Sequence, residues 1–171
     1  MKLFGSLSLS FSYVVIFMTP LSLIAQENDQ KRTVLFLADS ARSHGYGAHD
    51  HLAGCRLLSK SLNEGNVPID SRVHHYGWPE DASAFDGVDC VVMYGDGGQG
   101  HMVMRHLDEM DALAKKGIGI VCLHYGVEVP KGPAGEKFLE WIGGYFEMDW
   151  SVNPHWTANY SSLPDHRSPE A

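Results

Sequence analysis

Residues 119–130 read GIVCLHYGVEVP, a pattern in which an apolar run ends abruptly in polar residues and glycine. The run has the length of a β-strand, and the His-Tyr-Gly after it indicates a loop. Similar runs occur at Thr33–Ala38 and Val88–Tyr94, each followed by a loop that contains several glycines, and Ile69–His75 is a further candidate strand. Continuous apolar strands of this kind are typical of a parallel sheet that is covered on both faces.

Segments with apolar residues at helical spacing separate several of these strands. The three predicted helices are 52–62, 102–116 and 135–142, and glycines follow each of them. The alternation predicts an α/β fold, a flavodoxin-like three-layer sandwich with an open, mostly parallel sheet. Ligands of such sheets bind beyond the carboxyl ends of the strands, so the loops after Ala38, Tyr94 and Leu123 are the candidates for a site.

The first 25 residues have the composition of a secretory signal peptide. No charged residue occurs between Lys2 and Glu27, and Ala25 is a small residue suited to cleavage. We therefore expect a signal peptide at 1–25, a short linker at 26–32, and an exported domain at 33–171 that has no stable membrane insertion after cleavage. Because the uncharged run is long enough to cross a bilayer of about 30 Å, an N-terminal membrane anchor is the alternative.

The charge balance narrows the choice of partners. Without the signal peptide the chain has 12 basic and 21 acidic side chains, a net charge of −9. A nucleic-acid partner requires a basic face that neutralises phosphates, so this class is excluded, and anionic membranes are disfavoured for the same reason. The three cysteines, Cys55, Cys90 and Cys122, lie scattered in apolar segments and form no disulfide framework.

Cys122 and His124 compete for a functional role at the end of the fourth strand. Because side chains alternate along a strand, Cys122 shares a face with Ile118 and Ile120, and His124 lies about 7 Å further toward the strand end. A reactive thiolate requires exposure and an electropositive neighbour. The pattern favours Cys122 as a core residue and His124 as the residue at the site, with a nucleophilic Cys122 as the alternative.

The loop after the third strand, Gly95-Asp-Gly-Gly-Gln-Gly100, matches the G-x-G-x-x-G pattern of dinucleotide-binding proteins. It follows the third strand instead of the first, and no carboxylate that would bind a ribose ends the next strand, so this interpretation is disfavoured. Two others stay open. The glycines serve a tight turn with positive φ, or their backbone N–H groups face the pocket and bind an anion.

Histidines are concentrated in the loops expected at the same edge of the sheet. They are His44, His49 and His51 after the first strand, His101 after the third and His124 after the fourth, and His155 beside Trp156 completes the set. Imidazoles suit acid–base chemistry, and they also bind transition metals. No short metal-binding motif is present. A divalent metal held by His44, His124 and His155 therefore rests on the position of these loops alone and is an open alternative.

Four segments together resemble the ThuA-like (trehalose-utilisation) family over residues 33–166. They are VLFLADSARSHGYGAHDHLAGCRLL (34–58), DCVVMYGDGGQGH (89–101), KKGIGIVCLHYGVEVP (115–130) and FLEWIGGYFEMDWSVNPHW (138–156). The resemblance implies the fold of class I glutamine amidotransferases, which agrees with the strand pattern. It also implies that His124 occupies the nucleophile position, that Cys122 matches the preceding glycine, and that glutaminase activity is lost.

The resemblance further implies a role in carbohydrate utilisation, on a sugar or an oxidised sugar derivative. We expect catalysis by His124 with His44 and His155, and binding of the substrate or an anion by Gly95, Asp96, Gly97, Gly98, Tyr125 and Trp156. Where the family continues after an Asp-His-Pro motif, Asp165-His166 is followed by only five residues, so we expect the last part of the family domain to be missing. A non-catalytic carbohydrate-binding or interaction module, a Cys122-dependent amidase or amidotransferase, and a homo-oligomer stay open.

Overall fold

The computed structural model describes residues 31–39, 48–151, 157 and 159, so the predicted signal peptide lies outside the described residues. Four parallel strands form one sheet in the order β2-β1-β3-β4. The strands are β1 (Arg32–Ala38), β2 (Ile69–His75), β3 (Cys90–Tyr94) and β4 (Gly119–Leu123), and a small second sheet pairs β5 (Glu128–Val129) with β6 (Phe146–Glu147). The helices are α1 (His51–Glu64), α2 (Leu107–Lys115) and α3 (Pro133–Ile142). The prediction of a flavodoxin-like α/β sandwich with a parallel sheet is confirmed.

The central strands are buried on both faces, as continuous apolar runs predict. Val34, Phe36 and Ala38 of β1 pack with Cys55 of α1 on one face. Leu35 and Leu37 point to the opposite face and join a cluster with residues of α2 and α3, including Met110 and Phe138. The outer strands β2 and β4 are less buried, because each has a neighbouring strand on one side only among the described residues.

Helix α2 begins five residues later than the predicted start at Met102. The intervening residues form tight turns, in which the N–H of Met104 donates to the oxygen of His101 and the N–H of His106 donates to that of Val103. Val103 is fully buried in these turns. Its apolar side chain therefore packs in the core although the segment is not helical. The apolar spacing of the segment alone predicted a helix there.

The sequence predicts no helix in the connection from β2 to β3, and the structure agrees. This connection contains only a short 3₁₀ turn, Ala82–Phe85, instead of an α-helix. Trp78 and Phe85 of this connection pack against the same cluster as α2 and α3, with ring centroids 5.0 Å apart. Two large aromatic rings thus cover part of the sheet where a regular helix would otherwise be needed.

Phe138 and Leu139 are adjacent residues of α3 with opposite environments, which makes them a matched test of the core. Phe138 is fully buried and Leu139 is 53% exposed. We expect Phe138→Ala to lower the free energy of unfolding by about 3–5 kcal/mol, because it removes a buried ring and leaves a cavity. Leu139→Ala should change it by about 0.5 kcal/mol or less. Urea titration of both variants measures the difference, and equal losses would contradict this packing of α3.

Candidate functional site

The carboxyl ends of β1, β3 and β4 lie side by side at one edge of the sheet. Ala38 pairs with Tyr94, and Tyr94 pairs with Leu123. The N–H of Asp39 then donates to the oxygen of Tyr94 at 3.0 Å, so the first loop starts in contact with the end of β3. After β1 the chain continues to β2, which pairs with one side of β1, whereas β3 pairs with the other side of β1. This is the position where open parallel sheets bind their ligands.

His124 lies directly after β4 and has a left-handed backbone, with φ of 54°. It begins a 3₁₀ turn, His124–Val127, and its side chain is exposed. The imidazole Nδ1 accepts the backbone N–H of Tyr125 at 2.8 Å. Because Nδ1 acts as an acceptor, the neutral ring has its proton on Nε2. His124 therefore presents an N–H donor at the carboxyl end of β4.

His49 lies beside His124 and forms with it and Tyr125 a cluster of three rings. The ring centroids of His49 and His124 are 4.4 Å apart, and those of His124 and Tyr125 are also 4.4 Å apart. His49 has a positive φ of 51°, which directs it from the loop after β1 toward the end of β4. The sequence places His49 in the correct loop, but the histidine pattern gave no reason to prefer it to His44.

A second histidine of the same loop, His51, faces the glycine-rich loop. Its Nε2 lies 3.6 Å from Oδ1 of Asp96, and its ring meets Tyr94 edge-on with centroids 4.8 Å apart. The side chain is only 4% exposed although it begins helix α1. The expected binding residue Asp96 is thus positioned against the imidazole of His51, one of the three histidines expected after the first strand.

The glycine-rich loop packs too closely against its neighbours for side chains at two positions. A Cβ at Gly95 would lie 2.8 Å from the Cβ of Asp39, and one at Gly97 would lie 2.6 Å from the backbone oxygen of Tyr125. Gly98 has a positive φ of 69°. Close packing and turn geometry therefore account for these three glycines. Anion binding by the N–H groups of Gly97 and Gly98 stays a prediction.

The same loop differs from a dinucleotide-binding loop in its connection to the next helix. Residues Gly98–Gly100 form a 3₁₀ turn, and helix α2 begins only at Leu107. A dinucleotide pyrophosphate lies at the N-terminus of a helix that starts directly from the glycine-rich turn. This geometry gives the disfavoured dinucleotide interpretation no support. In addition, the N–H of Asp96 donates to the Asp39 carboxylate at 3.3 Å, so the chain itself supplies an acceptor at this N–H.

Gly97 and Gly100 allow a matched test of this packing. Gly97→Ala should lower the free energy of unfolding by about 1–3 kcal/mol, because the methyl group collides with the backbone after β4. Gly100→Ala should have little effect, since nothing lies within 4 Å of a Cβ there. Thermal or urea unfolding measures both changes. A Gly97→Ala variant as stable as the Gly100→Ala variant would show that the two loops are not in contact.

His101 connects the glycine-rich loop with the turn after β4. Its Nδ1 accepts the N–H of Val103 at 3.1 Å, so Nε2 has the proton and donates to the backbone oxygen of Gly126 at 3.0 Å. The side chain is 3% exposed. Burial lowers the pKa of His101, against the opposing effects of its hydrogen bond to Gly126 and of the Asp39 charge. His101, expected among the pocket histidines, is therefore a neutral structural residue.

The lowered pKa of His101 predicts a pH-dependent contribution to stability. The unfolded chain binds the proton first as pH falls through about 6.5, so the contribution is full above that pH and is lost below it. At about pH 8, His101→Gln should lower the free energy of unfolding by about 1–3 kcal/mol. Denaturant titrations at several pH values should show the gap between wild type and variant narrowing toward about pH 5. A constant gap would contradict the assignment of a buried neutral imidazole.

Cys122 lies one residue before the end of β4, and its neighbours are the side chains that strand alternation predicts. It packs against the same cluster as Ile118 and Ile120, whereas Leu123 packs against the other cluster. Burial raises the pKa of the Cys122 thiol to about 12. The thiolate is therefore scarce near neutral pH, and the expectation of a core cysteine is supported against that of a nucleophile.

Three of the expected site residues are not among those that the structure describes. His44, His155 and Trp156 fall outside the described residues. Within the described part of the chain, no three His, Cys, Asp or Glu side chains are grouped so that they hold a metal ion. A metal also binds an unprotonated nitrogen, whereas the hydrogen bond to Nδ1 of His124 leaves the proton on Nε2.

A groove of about 840 Å³ lies near the opposite end of the sheet. Val88 and Ile118, which line it, precede β3 and β4. Glu109 there accepts hydrogen bonds from Nε1 of Trp78 at 3.0 Å and from Nδ1 of His106 at 3.1 Å. Size alone does not make this groove the site, because these polar groups bond to one another and the carboxyl ends of the strands lie elsewhere.

Searches of protein-family models, of curated proteins and of solved structures found no match to this chain. The described residues include no helix of the length and apolar character that crossing a membrane requires.

Proposed function

We propose that this chain is an exported ThuA-like protein of carbohydrate utilisation. It binds or processes a sugar or an oxidised sugar derivative at the carboxyl ends of β1, β3 and β4. The observation that supports this most is the placement of His124: it is exposed, lies directly after β4 and has a left-handed backbone. In the fold that the resemblance implies, this is the position of the nucleophile.

The hydrogen bond to Nδ1 defines what His124 offers a ligand. With Nδ1 occupied by the Tyr125 N–H, the neutral ring donates from Nε2. Such a donor binds a sugar hydroxyl or carbonyl oxygen, and it stabilises negative charge that develops on that oxygen. Use of His124 as a general base would first require Nδ1 to release the Tyr125 N–H. A general acid would need the imidazolium, which is protonated on Nδ1 as well, so that role requires the same release. The geometry therefore favours a hydrogen-bond donor.

A carbohydrate-binding module without turnover is the second candidate. The described contact between His49 and His124 is a contact of rings tilted by 51°, with centroids 4.4 Å apart. Tilted rings in contact provide shape and polar edges for a ligand without a proton-transfer step. Product formation separates the two candidates: an enzyme converts the bound sugar, and a module returns it unchanged.

The environment of Cys122 disfavours an amidase that depends on its thiol. The thiol lies below the site, and burial raises its pKa to about 12. A thiolate nucleophile needs the opposite environment, with exposure and a nearby positive charge.

The test of the carbohydrate site is His124→Asn, because asparagine tolerates a left-handed backbone and lacks the imidazole. Calorimetry with glucose, trehalose and gluconate as probes measures binding. Loss of the Nε2 donor should weaken the affinity for the sugar that wild type binds by about tenfold. If that sugar is converted, kcat should fall by about 100-fold or more.

His74→Asn serves as the control. His74 lies within strand β2, away from the residue that follows β4, so this variant should bind like wild type. An affinity and turnover left unchanged by His124→Asn would overturn the role of His124. A wild-type protein that binds none of the probes would count against the carbohydrate assignment itself.

A further inference from the structure

Tyr76 follows strand β2 and is unusually exposed for an aromatic residue. Its side chain is 74% exposed, and its ring stacks on His75 with centroids 3.8 Å apart and planes 25° apart. One ring face thus rests on the imidazole, and most of the side chain faces solvent. Such a pair is a preformed flat surface, since His75 restricts the orientation of the tyrosine ring.

The backbone of Tyr76 is strained in a way that folding alone does not require. Its φ is 76°, in the left-handed region that bulky residues rarely adopt. Gly77, also at positive φ, follows it, and the Gly77 N–H donates to the oxygen of Ala38 at 3.0 Å. Glycine at position 76 would make the same turn without strain. A strained residue that exposes a large ring indicates a functional use of that ring.

The turn after β2 that contains Tyr76 lies next to the candidate site. A Cβ at Gly77 would lie 3.5 Å from the Cβ of Met102, and a Cβ at Gly95 would lie 2.8 Å from the Cε of the same methionine. Met102 therefore bridges the turn after β2 and the glycine-rich loop. From β2 to β4 the edge spans three strand spacings, about 14 Å, which is longer than one sugar ring.

We propose that Tyr76, held by His75, is a second sugar subsite, which stacks on the apolar face of a ring linked to the ring that contacts His124. The inference rests on the proposed function and refines it: the ligand is a disaccharide or longer saccharide. Tyrosine suits this use because its ring is apolar and its hydroxyl remains in water. The Tyr76 ring supplies affinity and the His124 donor supplies the contact with the reacting or recognised oxygen.

The test exploits the strain at position 76. Tyr76→Gly relieves the left-handed backbone, so its Tm should stay level or rise by about 2 °C. The same variant should bind trehalose or maltotriose about 3- to 10-fold more weakly, while its affinity for glucose stays unchanged. Tyr76→Phe, which retains the ring, should bind the longer saccharides like wild type. Trp150→Ala removes another exposed aromatic side chain, 80% exposed, and controls for a general effect of such losses.

The outcomes separate this inference from the proposed function. Equal affinities of wild type and Tyr76→Gly for all saccharides would overturn the second subsite while the site at His124 stands. A large fall in Tm of Tyr76→Gly would also overturn it, because the ring would then be structural. If wild type binds neither glucose nor the longer saccharides, the carbohydrate function fails and the subsite fails with it.

Discussion

The parallel pairing of β3 with both β1 and β4 is the constraint on which the rest of the structure depends. Parallel strands all end at the same side of the sheet, and the register sets Ala38, Tyr94 and Leu123 in one row. The three loops after these residues therefore meet there. Burial of the central strands on both faces fixes this register, because a shift by one residue would exchange the two core faces.

The loops that meet at this edge are joined by specific contacts. Gly95 and Gly97 permit a close approach to Asp39 and to the turn after β4, and buried His101 bonds to the backbone of that turn. The glycine contacts leave no room for a side chain, and His101 is buried, so the described parts of these loops are held together. A rigid edge of this kind positions polar groups for a ligand at a smaller entropic cost on binding.

Backbone strain is concentrated at the same edge. Four non-glycine residues among those described have positive φ: His49, Tyr76, His124 and Asp149. The first three lie in the loops after β1, β2 and β4, and all three have aromatic side chains. A left-handed backbone costs roughly 1–2 kcal/mol at each such residue, so the packing around them must offset it. Strain of this kind is typical of functional positions, and it directs the rings out of the regular strand geometry.

The sequence by itself determined the four strands of the main sheet, their parallel arrangement and the packing of Cys122 against one core cluster, because the order of apolar residues reflects burial on one or two faces. The short strands β5 and β6 do not follow from that order. Strand β2 has its predicted bounds, Ile69–His75. Only the tertiary structure decided the late start of α2, the choice of His49 and His51 as neighbours of the site, and the structural role of His101. Those depend on side-chain hydrogen bonds and on positive φ values, which join residues far apart in the chain and follow no local period.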